Sequence, residues 1–468
     1  MARFIRSLLP LCALLLSPLF AWVARANTIN ASTCSSVAVQ AAVNSASNGD
    51  TVIIPNGSCT WTSGVTVNKQ ITLTGESVGG VTIINASSGD LLTITIGNSF
   101  HTIIANLRFM PGTGTNTSDY IVINGTGLVP LMHDMYFNLF QFQMFHAVEW
   151  DVTGGVIWNT TFESTDPTNA GTGGCLVVKP NIPWDSPSTM GTLDTQGTSN
   201  LYIEDSTFNL VDQCPDIDDN GRVVLRHVTY NGASGLTHGA TSAEGGRFVE
   251  FYNSALTYPQ LVPARNMNRY FWWRAGTGVV TGNTIQWING ASYPNKPTWA
   301  FSAENAQRAA NKGCCVGYMC WHQAGSGSDG AVHSPTNTPP TVNPSGGGPV
   351  PLGQDSKQIS DPIYIWNNTG TGSGLAHLAG GFVDGSPESP SDFCNTSVVP
   401  VNPATGQEWS TVDLVLKGRD ILLCDTTDGC SGGAKPGWAP YTYPHPLRAL
   451  VTGSGGPTAP SGLSATVQ

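Results

Sequence analysis

The sequence predicts an all-β fold, a single-stranded right-handed parallel β-helix with an N-terminal capping helix and a loop-rich C-terminal region. Two observations carry this expectation. The first is a phrase of fixed grammar: apolar, outward, polar, two residues, then aromatic or apolar. It occurs at Ile104-Ala105-Asn106 with Phe109, Met132-His133-Asp134 with Phe137, and Ile157-Trp158-Asn159 with Phe162. It returns at Ile203-Glu204-Asp205 with Phe208, Leu225-Arg226-His227 with Tyr230, and Phe251-Tyr252-Asn253 with Leu256, with a weaker copy at Gly282-Asn283. The six polar positions are 28, 25, 46, 22 and 26 residues apart, a period that marks stacked units burying a shared core. The step of 46 fits two rungs or one rung carrying an insertion from Thr165 to Ser199. The second observation is composition: 11% charged residues and 54 glycines, which suits short strands joined by tight turns.

Strand alternation turns the phrase into geometry, because neighbouring side chains point to opposite faces. With Ile104, Met132, Ile157, Ile203, Leu225 and Phe251 stacked inward, the next residues form an outward column: Ala105, His133, Trp158, Glu204, Arg226, Tyr252. The polar residue that follows sits where the chain bends, and Asn and Asp suit a bend because they bond local backbone and tolerate left-handed dihedrals.

The N-terminal residues 1–26 read as a secretory leader: Arg3 and Arg6, an apolar run from Leu8, then Ala24-Arg25-Ala26. No other run is long enough to span a membrane. The whole chain carries a net charge of −11, and three of its 20 basic residues lie in that leader. Without a basic stripe, nucleic acid is excluded as a partner class. Cys12 leaves with the leader, and an even number of cysteines remains, as expected of disulfides in an exported chain. Cys34 with Cys59 would staple the cap, and Cys424 with Cys430 would close a short loop.

Taken in order, Ser35 to Ser47 places Val39, Ala42, Val43 and Ala46 on one face at helical spacing, and Thr51 to Pro55 opens the first strand. The opening VAVQAAVNSASNGDTVIIPNGSCTW, with the rung period to about Val280, resembles the right-handed parallel β-helix proteins of the pectate-lyase-like superfamily. That resemblance implies a fold and leaves the activity open. Short strands follow from Ile71 to Ile96. The aromatic stretch Phe137 to Trp150 reads as core filling or a sugar platform. The phrase fades after Asn283 and resumes at Ile363 to Asn368, with Asp413 to Cys424 as a terminal strand and Tyr441 to Leu447 as an extended segment against the C-terminal coil. The organisation expected is the β-helix with its cap over 27–300, a Cys/Gly/Pro-rich insertion over 301–360, and the last rungs and C-terminal cap over 361–452. The linker over 453–468 resembles the start of a fibronectin type III module.

Chemistry is expected along the outward column. His133, Trp158, Arg222 and Tyr252 are candidate substrate contacts, and Glu204, Arg226, His238 and Arg247 are catalytic candidates facing one groove; the bland alternative is a solvated sheet face with Glu204 paired to Arg226. A His beside two guanidinium groups would have a lowered pKa and serve as a neutral base. Asp216-Ile217-Asp218-Asp219-Asn220-Gly221 matches the first half of a calcium loop, making Asp216, Asp218 and Asn220 candidate ligands, although His227 stands where the full loop has Glu. Asp218-Asp219, His238-Gly239 and Arg247, in that order, resemble polygalacturonases, but the Asn-Thr-Asp, Gly-His-Gly and Arg-Ile-Lys signatures are absent, as is the Arg-around-Pro signature of pectate lyases. The function expected is a secreted, monomeric protein acting on a polysaccharide. As a lyase it would neutralise a uronate with Arg222, Arg226, Arg247 or calcium, and a base (His227, His238 or an Arg) would take the neighbouring proton. As a polygalacturonase-like hydrolase it would use two carboxylates drawn from Glu204, Asp205, Asp218, Asp219 and Glu244. The non-enzymatic alternative is a glycan-binding or cell-surface β-helix.

Overall fold

Seven residues other than glycine hold the chain at corresponding bends in left-handed conformation: Asn106, Asp134, Asn159, Asp205, His227, Asn253 and Asn367, with φ between 48° and 61°. Gly282 takes the same conformation in its rung, at φ 67°. Each bend turns one strand into the next, and repetition winds the chain into three parallel sheets. The computed structural model describes residues 26–112, 118–139, 146–165, 175–180, 182, 194–239, 245–257, 270–286, 300–303, 324–333, 356–371, 415, 418–425, 430 and 434–452. Residues 1–25 of the leader, Glu244, Cys314, Cys315, Cys320, Cys394 and the 453–468 linker lie outside these residues.

Among the described residues the first sheet has twelve strands, the second ten and the third nine. Every pairing within them is parallel, and each strand pairs with its counterpart one coil away, giving the right-handed parallel β-helix expected from the phrase. In the first sheet Ile104, Met132, Ile157, Ile203, Leu225 and Phe251 are in register and wholly buried, and Val280 and Ile365 continue the column. The aromatic position of the phrase forms a ladder in the second sheet. Phe109, Phe137, Phe162, Phe208 and Tyr230 stack at centroid spacings of 5.5, 5.0, 5.3 and 4.7 Å. Trp158 pairs with Glu204 and Phe162 with Phe208, so the long step is one rung with an insertion.

Helix α1 (Ser36–Ser45) packs Val39, Ala42 and Val43 onto the first coil, and its N-cap Ser35 Oγ accepts from Ala38 N at 3.4 Å. It covers a coil that would otherwise expose unpaired backbone. The expected disulfides Cys34–Cys59 and Cys424–Cys430 are formed, and Cys175–Cys214 joins them. The last rung returns at Ile363–Trp366, followed by Ile421–Leu423. Phe137 and Trp150 are core residues with no exposure, so these two rings are unavailable to a sugar.

The C-terminal segment departs from expectation. It lies lengthwise over the outer face of the first sheet instead of closing the terminal coil. Lys435 Nζ meets Asp361 Oδ1 at 2.6 Å, Trp438 packs edge-on to Tyr252 and Trp366, and Tyr443 stacks on His227 at 3.8 Å. Arg448 reaches Glu204 at 2.9 Å and lies over the Trp158 ring. This strap runs back along the stack from the Ile363–Trp366 rung to the rungs of Glu204 and Trp158, where the outward residues are large, aromatic and charged.

Candidate active site

The strap decides the fate of the outward column. Arg226 and Glu204 are fully buried. Arg226 donates to Glu204 from Nε at 2.8 Å and from Nη2, to the Tyr252 hydroxyl at 2.9 Å, and to the Thr442 carbonyl at 2.8 Å. Glu204 Oε2 accepts from His445 N at 3.1 Å and from Arg448. His133 stacks on Trp158 at 4.5 Å and its Nδ1 lies 2.6 Å from Asp134 Oδ2, both rings being buried. Arg222 is buried, and burial pushes its pKa down to about 10. Glu204, Arg226, Tyr252 and Trp158 meet the strap, so this part of the expected substrate strip is occupied by the chain itself.

Arg247 is also fully buried, with its Nη2 donating to the Ser328 carbonyl at 3.1 Å and its pKa pushed down to about 9 by burial. His238 belongs to another face, among partners on the third sheet, so the single groove expected for Arg226, His238, Arg247, Glu204 and Trp158 is divided. The parity of the strands located outward residues correctly, but parity says nothing about what lies on top of them.

A second set of titratable side chains lies on the outer face of the third sheet. Its strands Ile121–Gly125, Val148–Trp150, Leu176–Val178, Asp216–Ile217, Gly235–Thr237 and Phe271–Trp273 bury Ile121, Val148, Leu176, Ile217 and Phe271. Alternation turns the intervening residues outward, and the register aligns Val122, Glu149, Val177, Asp216, Leu236 and Trp272 in one column. Asp119 and His146 precede two of these strands and sit beside Glu149.

Two groups of side chains result. In the first, Asp216 Oδ1 lies 3.1 Å and Asp218 Oδ2 3.9 Å from His238 Nδ1. Burial opposes charging of His238, but the Asp216 hydrogen bond and both carboxylates prevail, and the pKa rises. That reverses the expected lowering, because the neighbours are carboxylates and not a guanidinium pair. Asp218 is raised to about 6, chiefly by burial, with His238 opposing. In the second group, Glu149 Oε1 is 2.8 Å from Lys179 Nζ. Burial and a hydrogen bond to Glu149 push Asp119 up to about 8 and Asp151 up to about 7. Burial also resists ionisation of Glu149, yet hydrogen bonds from Lys179, Asp119 and Asp151 hold it below the usual carboxylate range. Neighbouring carboxyl groups driven apart in this way divide into proton donors and acceptors.

The ligating atoms of Asp119, His146 and Glu149 lie within 4.8 Å of one another, a group able to hold a metal ion. The calcium expectation for Asp216, Asp218 and Asn220 changes accordingly. Two of those carboxylates turn to His238, while Asn220 is buried with Nδ2 donating to the Ile182 carbonyl at 3.1 Å. Asp119, His146, Glu149, Asp151 and Lys179 were missed in the sequence; the available signal was an acid between two inward residues, as in Val148-Glu149-Trp150.

Among the described residues no helix is long and apolar enough to cross a membrane. No family model matches the chain, and no curated protein matches it. Solved structures similar to it include the PL6 family polysaccharide lyase Pedsa3628 from Pseudopedobacter saltans, at 14% identity and TM-score 0.37, covering 74% of this chain and 77% of that one. An alginate lyase from Paenibacillus sp. str. FPU-7 aligns at 15% identity and TM-score 0.36, over 76% of this chain and 99% of that one. A pectin methylesterase in complex with a hexasaccharide aligns at 9% identity and TM-score 0.27, over 74% and 90%. Scores this low carry no functional argument, and the assignment of this chain to the parallel β-helix fold rests on its own strand pairing.

Proposed function

We propose that the chain is a secreted carbohydrate-active enzyme that cleaves a uronate-containing polysaccharide by elimination on the outer face of the third sheet. The observation that carries this reading is His238, held at 3.1 Å by Asp216 with Asp218 alongside, its side chain 28% exposed. A histidine–carboxylate group can take the proton next to the uronate carboxyl and return a proton to the departing glycosidic oxygen as the double bond forms. Among the described residues Lys179 and Arg274 are cations beside the column, and Arg274 lies over the Trp272 ring at 4.7 Å. The disulfides fit an exported protein.

A second reading is hydrolysis, favoured by one feature. Glu149 and Asp216 are two rungs apart in register, about 9–10 Å at the usual strand spacing, near the upper end of the carboxylate separation used by inverting glycosidases. A panel of acidic and neutral polysaccharides, assayed for reducing ends and for ultraviolet absorbance of unsaturated products, separates the readings. Elimination yields both signals and hydrolysis only the first. His238→Ala and Asp218→Asn are each expected to lower kcat by about 100-fold or more. Turnover that survives both changes moves the reaction elsewhere, and binding without turnover leaves a glycan-binding protein.

A further inference from the structure

We propose that Asp119, His146 and Glu149 form a binding site for a divalent transition-metal ion of the manganese or zinc class. Three observations converge. The ligating atoms lie within 4.8 Å of one another, and His146 Nδ1 is 3.8 Å from Asp119 Oδ1. That distance is too long for a hydrogen bond, but two ligands at about 2.0–2.2 Å from a shared ion are themselves separated by roughly 3–4 Å. His146 Nδ1 is buried and has no hydrogen-bond partner among the described residues, an uncompensated polar atom directed at a carboxylate. The framework is already fixed: Asp119 Oδ1 accepts from the His146 main-chain N at 2.7 Å, and Glu149 is anchored in strand Val148–Trp150 with Lys179 on its Oε1.

The donor set selects the ion. Calcium prefers six to eight oxygens, whereas one imidazole with two carboxylates suits manganese or zinc and leaves positions open for water or a ligand oxygen. Lys179, just after the next strand, competes for Glu149; Asp151 and Asp216 add negative charge nearby and His238 adds positive. On a face this acidic, a dication would also help admit an anionic chain. The site itself does not depend on the proposed reaction.

The test is calorimetric titration of the chelator-stripped full chain with manganese, zinc and calcium in turn, without substrate. One equivalent of manganese or zinc is expected, with calcium at least tenfold weaker. His146→Ala is expected to weaken manganese binding at least tenfold while leaving the melting midpoint of the metal-free chain unchanged, and His146→Gln substitutes if the alanine variant does not fold. Lys179→Met should tighten binding by freeing Glu149. No saturable uptake, calcium binding as tight as manganese, or uptake indifferent to His146 overturns the site. Because no turnover is read, an inactive enzyme that binds the ion sinks only the proposed reaction, and an active one that binds none sinks only the metal site.

Discussion

Glu204 carries two cations, Arg226 and Arg448, from a position with no solvent exposure, and it also accepts from the strap's backbone at His445. A buried pair is weak evidence of net stabilisation, but removing one member leaves the rest uncompensated. Glu204→Ala is therefore expected to cost about 3–5 kcal/mol, read as a lower midpoint in urea unfolding, and a loss below about 1 kcal/mol would mean that water reaches the guanidinium groups. Glu250 lies on the same face, and burial pushes its pKa up to about 8, against the pull of Trp438, Arg226 and Lys435. A folded-state pKa above the unfolded value means that its contribution is complete at acid pH, below the ordinary carboxylate range, and is lost as pH rises through about 8. Glu250→Gln should thus raise stability over the native chain at pH 9 by more than about 1.4 kcal/mol and change little at pH 4; equal effects at both would mean that folding does not raise the pKa of Glu250. At the candidate site, activity should rise through about pH 6 as Asp218 ionises and fall above the ordinary imidazole range as His238 loses its proton. A flat profile would detach these groups from the reaction.

At the scale of the element, the bend explains both what could be read and what could not. Asn253 is exposed with φ 52°, so Asn253→Val forces a β-branched residue into the left-handed region and is expected to cost about 1–2 kcal/mol, whereas Asn253→Gly should be tolerated. Equal melting midpoints for the two variants would show that the bend relaxes. The bend made the first and second sheets legible, since Asn or Asp followed by an aromatic at a fixed offset marks each rung. His227 breaks the Asn/Asp pattern, and its ring stacked on Tyr443 shows that one bend is also a docking point. The third sheet has no such punctuation. Its strands follow connections of variable length, so the alignment of Glu149 with Val177 and Asp216 leaves no fixed spacing in the sequence. The strap was illegible for a different reason: Tyr441 to Arg448 contact residues more than 200 positions earlier, and no local pattern announces a partner at that separation.

Over the whole molecule, a solenoid is held mainly by contacts between neighbouring coils and can loosen from either end. The strap adds bonds of another kind. Its first residues grip the Asp361 and Trp366 rung, and its last reach Glu204 and Trp158 several coils earlier. A tensile load entering at the C-terminal end would therefore be borne first by this segment, in a direction that peels it from the sheet one anchor at a time. Only after Arg448, Tyr443, Trp438 and Lys435 let go in turn would the load reach the last coil. In a single-molecule pulling experiment this predicts a small early release followed by stepwise unravelling, with the early event lost in Glu204→Ala. The segment makes the stack behave as a coil spring with a tie rod along one side, stiff to stretching from that end and free to twist at the other.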